Sequence, residues 1–87
     1  MQILYTPHFK REAKRLAISL RPLVESRLAQ FSADPHEPTL KTHKLAGRLK
    51  NFWAFSINTS IRVIFEFEGV DQAIFHSIGD HAIYDQF

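Results

Sequence analysis

The side chains able to move protons or hold an anion are few: His8, His36, His43, His76 and His81, together with Arg62, Asp80 and Tyr84. There is no cysteine, which excludes both thiolate chemistry and disulfides. No two histidines have the i, i+4 spacing of a helical metal site, and the chain has no HExxH, no glycine-rich phosphate loop and no familiar Ser-His-Asp spacing. Neither a metal nor a cofactor is expected. What remains suits acid–base chemistry. Imidazole titrates near neutral pH, and a guanidinium stays charged with a fork that fits phosphate. Metal-free RNA cleavage needs a base for the ribose 2′-OH, an acid for the leaving 5′-oxygen and a cation for the phosphate. His43, His81 and Arg62 can fill those places, with Asp80, Tyr84 and His76 beside them. Lys41, Lys44, Arg48 and Lys50 cluster around His43 and would attract an RNA backbone whatever its sequence.

Taken singly, each residue has a plainer use. His43 in "KTHKL" suits a solvated loop, and Arg62 could pair with Glu66 on its own strand face. His76, between Ile74 and Ile78, suits a partly buried strand position. His81 suits the start of a short terminal helix, with Asp80 as its cap and Gly79 allowing the turn. Tyr84 and Phe87 suit packing of the tail. Only the set as a whole points to function.

These residues must be positioned by one domain spanning residues 1–87. Eight Phe, one Trp and two Tyr can fill a compact core without disulfides. "MQILYTPHFKREAK" has too short an apolar start for a signal peptide, and no apolar run reaches transmembrane length, so a soluble cytoplasmic protein is expected. Net charge is +2 but segregated. Residues 1–50 hold ten Lys/Arg against four acids, and residues 51–87 hold Arg62 against five acids. Such asymmetry suits a basic surface facing a polyanion, or simply solvated helix faces.

"QILYT" reads as a first strand. Thr6-Pro7 is a helix start, and Phe9, Ala13, Leu16, Ala17 and Leu20 recur at helical spacing. Arg21-Pro22 breaks that helix and permits a second, marked by Leu23, Val24, Leu28 and Phe31 with Arg27 at the edge, ending at Asp34-Pro35. Residues 34–51 read as an ordered loop with "LKTHKL" partly extended. Beyond residue 52 the period becomes two: "FWAFSI", "IRVIFEFE" and "QAIFHSI" are strands, with Ile61, Val63, Phe65 and Phe67 facing the helices and Arg62, Ile64, Glu66 and Glu68 facing away. The expectation is an α+β, two-layer β-α-α-β-β-β fold with an antiparallel sheet and an N-terminal helical hairpin.

The stretches "LKTHKLAGRLKNFWAFSI", "IRVIFEFE" and "IFHSIGDHAIY" together resemble the RelE/ParE superfamily of bacterial toxins, nearest the RelE/StbE, YafQ-like mRNA interferase branch. The likeness runs from "TPHFKREAKRL" to the last residue and rests on His43, Leu45, Gly47 and Lys50, on Arg62 to Phe65, and on Gly79, Asp80, His81 and Tyr84. It implies a type II toxin–antitoxin toxin that cleaves mRNA, usually on the ribosome, held in a hetero-oligomer by a cognate antitoxin. It also implies acid–base roles for His81 and His43 and phosphate contact for Arg62, with Lys41, Lys44, Arg48 and Lys50 facing RNA. Members of the nearer branch carry a histidine where Ser56 stands, Asp-Trp where Ser60-Ile61 stand, and an arginine where His76-Ser77 stand. The rival readings are a non-catalytic ParE-like gyrase poison and an inactive antitoxin-binding relic.

Overall fold

The computed structural model describes all residues from 1 to 87. In chain order it has strand β1 (Gln2–Tyr5), helices α1 (Pro7–Arg15) and α2 (Arg21–Ala33), strands β2 (His43–Lys44), β3 (Trp53–Ser56), β4 (Arg62–Glu68) and β5 (Gln72–Gly79), and a short helix α3 (Ile83–Gln86). Three single 3₁₀ turns, Ile18–Leu20, Pro38–Leu40 and Gly47–Leu49, join them. No helix is long and apolar enough to cross a membrane.

Local chemistry sets the element ends. The Thr6 hydroxyl accepts the Phe9 N–H at 3.0 Å, and Pro7 opens α1 where its missing N–H costs nothing. Helix α1 ends at Arg15, short of the Leu20 that the apolar spacing indicates. Leu16 and Ala17 are extended and a 3₁₀ turn follows, because the chain must reverse before Pro22 opens α2. The loop after α2 is pinned from within. The Asp34 carboxylate accepts the His36 N–H at 3.0 Å, and the His36 ring lies 5.9 Å from both Trp53 and Phe67.

The sheet order is β1-β5-β4-β3-β2. Four strands run antiparallel, as the alternating pattern requires, with "HK" of the basic loop forming the short edge strand β2. The fifth, β1, pairs parallel to β5, so the sheet is mixed and not wholly antiparallel. The α1–α2 crossover makes this possible, since a parallel neighbour needs a connection long enough to return over the sheet.

Helices α1 and α2 cover one face. There Phe31, fully buried, stacks on Phe55 at 4.8 Å and meets Phe65 and Phe75 edge-on at 4.9 and 5.1 Å. Phe9 from α1 lies 5.6 Å from Phe75. Val63, Ala73 and Ile78 complete this side. Ile78 joins the core despite the alternation because the β4–β5 register slips. Ile64 faces Ser77 while Phe65 faces Phe75, which leaves His76 as the extra residue of a bulge. The buried Ser77 hydroxyl donates to Glu12 Oε1 at 2.6 Å, and the Ile78 N–H reaches the same oxygen at 3.1 Å.

The opposite face is not bare. Its buried apolar residues, Leu49, Ala54, Ile64 and Ile83, lie outside the main core and are brought together by the third 3₁₀ turn and by α3. Gly79 is needed for this closure. A Cβ there would stand 2.6 Å from Ile83 Cγ2, so its value is close approach of the tail and not a left-handed turn.

Candidate active site

Register decides which polar side chains share a face. Val63 and Phe65 point into the main core, so Arg62 and Ile64 point away from it. Directly opposed residues share a face, which places Ser56, Arg62 and Gly79 in one row across β3, β4 and β5. His43, Ala54 and Ile64 form the next row in, while Ser77 of the bulged β5, opposite Ile64, turns its hydroxyl to Glu12 on the helix side. His43 and Arg62 are thus two strands and one row apart, about 12 Å between Cα atoms on ordinary sheet spacings. Both side chains can reach one group between them. The chain leaves β5 at Gly79 and places Asp80 and His81 directly beyond the row of Arg62.

The tail arranges the remaining members. Asp80 Oδ1 accepts the Ala82 N–H at 2.9 Å and its carbonyl accepts the Ile83 N–H at 3.1 Å, which folds the turn that carries the exposed His81. The His81 ring lies 5.8 Å from the half-buried Tyr84 ring. Burial pushes the Tyr84 phenol above its ordinary pKa, and the nearby Arg62 guanidinium pulls the other way. Tyr84 thus lies against the His81 ring and feels the Arg62 charge, and it keeps its phenolic proton at neutral pH.

Arg62 is fixed from below: its Nη1 donates to the Asn58 carbonyl at 2.6 Å and to the Ile61 carbonyl at 3.3 Å. Asn58 in turn shapes the β3–β4 turn, its Oδ1 accepting the Ser60 and Ile61 N–H groups at 2.8 and 2.6 Å. Beside Arg62 opens a polar cavity of about 230 Å³ lined by Arg27, Thr39, Lys41, Ser56, Ile57, Asn58, Thr59 and Arg62. Three cations and no carboxylate line it, an arrangement that favours an anion.

His43 is exposed, and its Nδ1 lies 2.9 Å from the Lys41 carbonyl. A carbonyl only accepts, so Nδ1 carries the proton in neutral imidazole and Nε2 is left as the free basic nitrogen. Lys41 holds this contact in the left-handed region (φ 54°), the single non-glycine residue that does so.

Register thus puts His43 and Arg62 on one sheet face, Lys41 lines the cavity beside Arg62, and His81 lies against Tyr84, whereas Asp80 borders a pocket with Glu12, Arg15 and Leu16 of α1. Others lie apart. His76 lies further along, its Nε2 2.8 Å from Glu66 Oε1 and its ring edge-on to Phe52 and Phe87, both at 5.5 Å. Lys44 sits opposite Trp53 and so points to the other sheet face from His43. Lys50 is exposed after the third 3₁₀ turn. Arg48 donates to the Phe87 carbonyl at 2.6 Å and to the Tyr84 carbonyl. Arg27 escaped the sequence reading as a site residue. Its Nε donates to the Ile57 carbonyl at 3.1 Å, which brings a helix arginine into the sheet's polar cavity. Its one signal was a charge at the margin of an apolar helix stripe. No group of three or more His, Asp or Glu is placed to hold a metal ion.

No protein-family model and no curated protein matches the sequence. Solved structures do match. YafQ from Escherichia coli BL21(DE3) superposes with TM-score 0.75 at 16% identity, covering 95% of this chain and 96% of that one. A YoeB/ParE toxin from Agrobacterium tumefaciens gives TM-score 0.76 at 14% identity over 93% and 99% of the two chains. The DinJ–YafQ complex of E. coli contains a chain matching with TM-score 0.66 at 17% identity over 94% of each. At these identities the likeness is one of fold: the chain shares the fold of the YafQ and YoeB/ParE toxin structures.

Proposed function

We propose that the protein is the toxin of a type II toxin–antitoxin module and an endoribonuclease acting on mRNA, in keeping with its likeness to YafQ and to the toxin held by DinJ. What supports the nuclease reading is that His43 and Arg62 share one sheet face and that His81 lies against Tyr84, which feels the Arg62 charge, with a cavity lined by three cations and no acid alongside. His43 Nε2 takes the proton from a ribose 2′-OH. The 2′-oxygen attacks phosphorus, and the bond from phosphorus to the 5′-oxygen breaks. His81 donates a proton to that leaving oxygen, with Tyr84 as its neighbouring donor. Arg62 stabilises the charge built up on the phosphate. The products are a 2′,3′-cyclic phosphate and a 5′-hydroxyl. Lys41 and Lys50 draw the RNA backbone onto this face. Ribosomal mRNA is the substrate proposed. An acidic antitoxin segment is the partner proposed, since the basic surface suits it.

The test is induction of wild type and His81→Ala in cells, with growth and mRNA 5′ ends followed together. Wild type should arrest growth and create new ends, and the variant should lose on the order of 10²–10⁴ in rate. Equal arrest by both with no new ends would refute the nuclease reading; trapped gyrase complexes under those conditions would favour a ParE-like poison.

A further inference from the structure

We propose that Arg48 is a positioning residue that holds the C-terminal tail, and with it His81 and Tyr84, over the polar face, and that it is not an RNA contact. The kinetic part of this inference rests on the nuclease reading above; the structural part does not.

Its guanidinium is already committed. One Nη1 N–H donates to the Phe87 carbonyl at 2.6 Å, and Nη2 donates to the Tyr84 carbonyl. Both acceptors belong to the last turn of α3, where carbonyls have no partner inside the helix. A four-residue helix has almost no stability of its own. Tertiary contacts must hold it, and there are three. Ile83 is buried against Gly79. The Phe87 ring packs edge-on against Phe52 at 4.8 Å and His76 at 5.5 Å. Arg48 supplies the third, a two-pronged polar strap reaching 36 and 39 residues along the chain. The planar fork suits two carbonyls at once, which a lysine ammonium on a flexible stem does not reproduce. The apolar contacts fix where the helix sits, and the strap fixes its rotation. That rotation aims Tyr84 at Arg62 and His81 beyond it, so loosening it should misplace an acid without touching substrate.

Three variants of the full chain test this: Arg48→Ala, Arg48→Lys and Lys50→Ala, followed by amide hydrogen exchange and, with a short RNA, by kcat, KM and the salt dependence of binding. Arg48→Ala should speed exchange of the Tyr84 to Phe87 amides on the order of tenfold or more, since both of its charged hydrogen bonds are lost, while the β4 amides keep their protection and so report an intact fold. It should lower kcat with KM unchanged and leave the salt slope of RNA binding as in wild type. Arg48→Lys should exchange nearly as fast as the alanine variant. Lys50→Ala should leave tail exchange alone and reduce the salt slope by roughly 0.7, the value of one phosphate contact on a single strand. Unchanged tail exchange in Arg48→Ala, full protection in Arg48→Lys, or loss of a salt-slope unit in Arg48→Ala would each overturn the assignment. If no RNA is cleaved by the wild type, the nuclease reading falls, and tail exchange still decides the role of Arg48.

Discussion

The two faces of the one sheet are built from alternate residues of the same strands, yet they are held by different means. Toward α1 and α2 lie Phe31, Phe55, Phe65 and Phe75, all sealed from solvent and in ring contact with one another. The far face buries the apolar Leu49, Ala54, Ile64 and Ile83 and the polar Ser56, and a 3₁₀ turn and a one-turn helix cover it. The aromatic face carries the stability. The polar face carries a half-buried Arg62 and the exposed His43 and His81 toward its open end and keeps its order through a strap, a glycine contact and a few hydrogen bonds. Stability and the proposed chemistry would thus be divided by the pleat, so a change on one face should spare the other.

The largest break in that comparison should come from Phe31→Ala. It removes the ring at the centre of the aromatic cluster and should cost about 3–5 kcal/mol, a large part of the ~5–15 kcal/mol available to a small domain. Urea denaturation measures it, and a cost below ~1 kcal/mol would mean that the aromatic face does not carry the fold.

A smaller effect should distinguish the two faces in RNA binding. Lys41 lines the cavity beside Arg62, whereas Lys44 shares a face with Trp53. Lys41→Ala should weaken RNA binding and lower its salt slope by roughly 0.7, as expected for one phosphate contact, while Lys44→Ala should leave both near wild type. Equal losses at the two positions would show that RNA does not distinguish the faces.

The smallest effect is spectroscopic. Burial raises the pKa of both Tyr5 and Tyr84, but Arg62 lowers Tyr84 alone. In Arg62→Ala, ultraviolet titration should show one tyrosine midpoint moving further up and the other staying in place. Because the folded chain keeps these phenolic protons longer than the unfolded chain does, stability is complete below pH 10.0, the ordinary tyrosine value, and declines as pH rises through the folded values. A Tyr84 midpoint indifferent to Arg62 would separate the two residues and dissolve the site's tail half.

Much of the aromatic face was legible in the sequence because each signal is local. Thr6-Pro7 starts α1 wherever the rest of the chain lies, and the alternation of Val63, Phe65 and Phe67 names a buried face from five consecutive residues. The polar face was legible only in its parts. The pairing of β1 with β5 depends on a crossover that brings back a strand 70 residues away. The bulge at His76 appears only when β4 and β5 are laid side by side, and it is what turns Ile78 into the core. Arg27 reads as the edge of a helix stripe and Arg48 as an RNA contact in the sequence, since nothing local says that one reaches the Ile57 carbonyl and the other the tail. Gly79 reads in the sequence as the residue that allows a turn, whereas in the structure it is the close approach of Ile83 that leaves no room for a side chain there.

The central claim is that this end of the polar face cleaves RNA through its own histidines and arginine. The most direct measurement is the chemistry of the cut ends left in cells expressing the protein. The account predicts 5′-hydroxyl ends matched to 2′,3′-cyclic or 3′-phosphates, absent when His81 or His43 is alanine. Fragments bearing 5′-phosphates, or identical ends from the histidine variants, would contradict it.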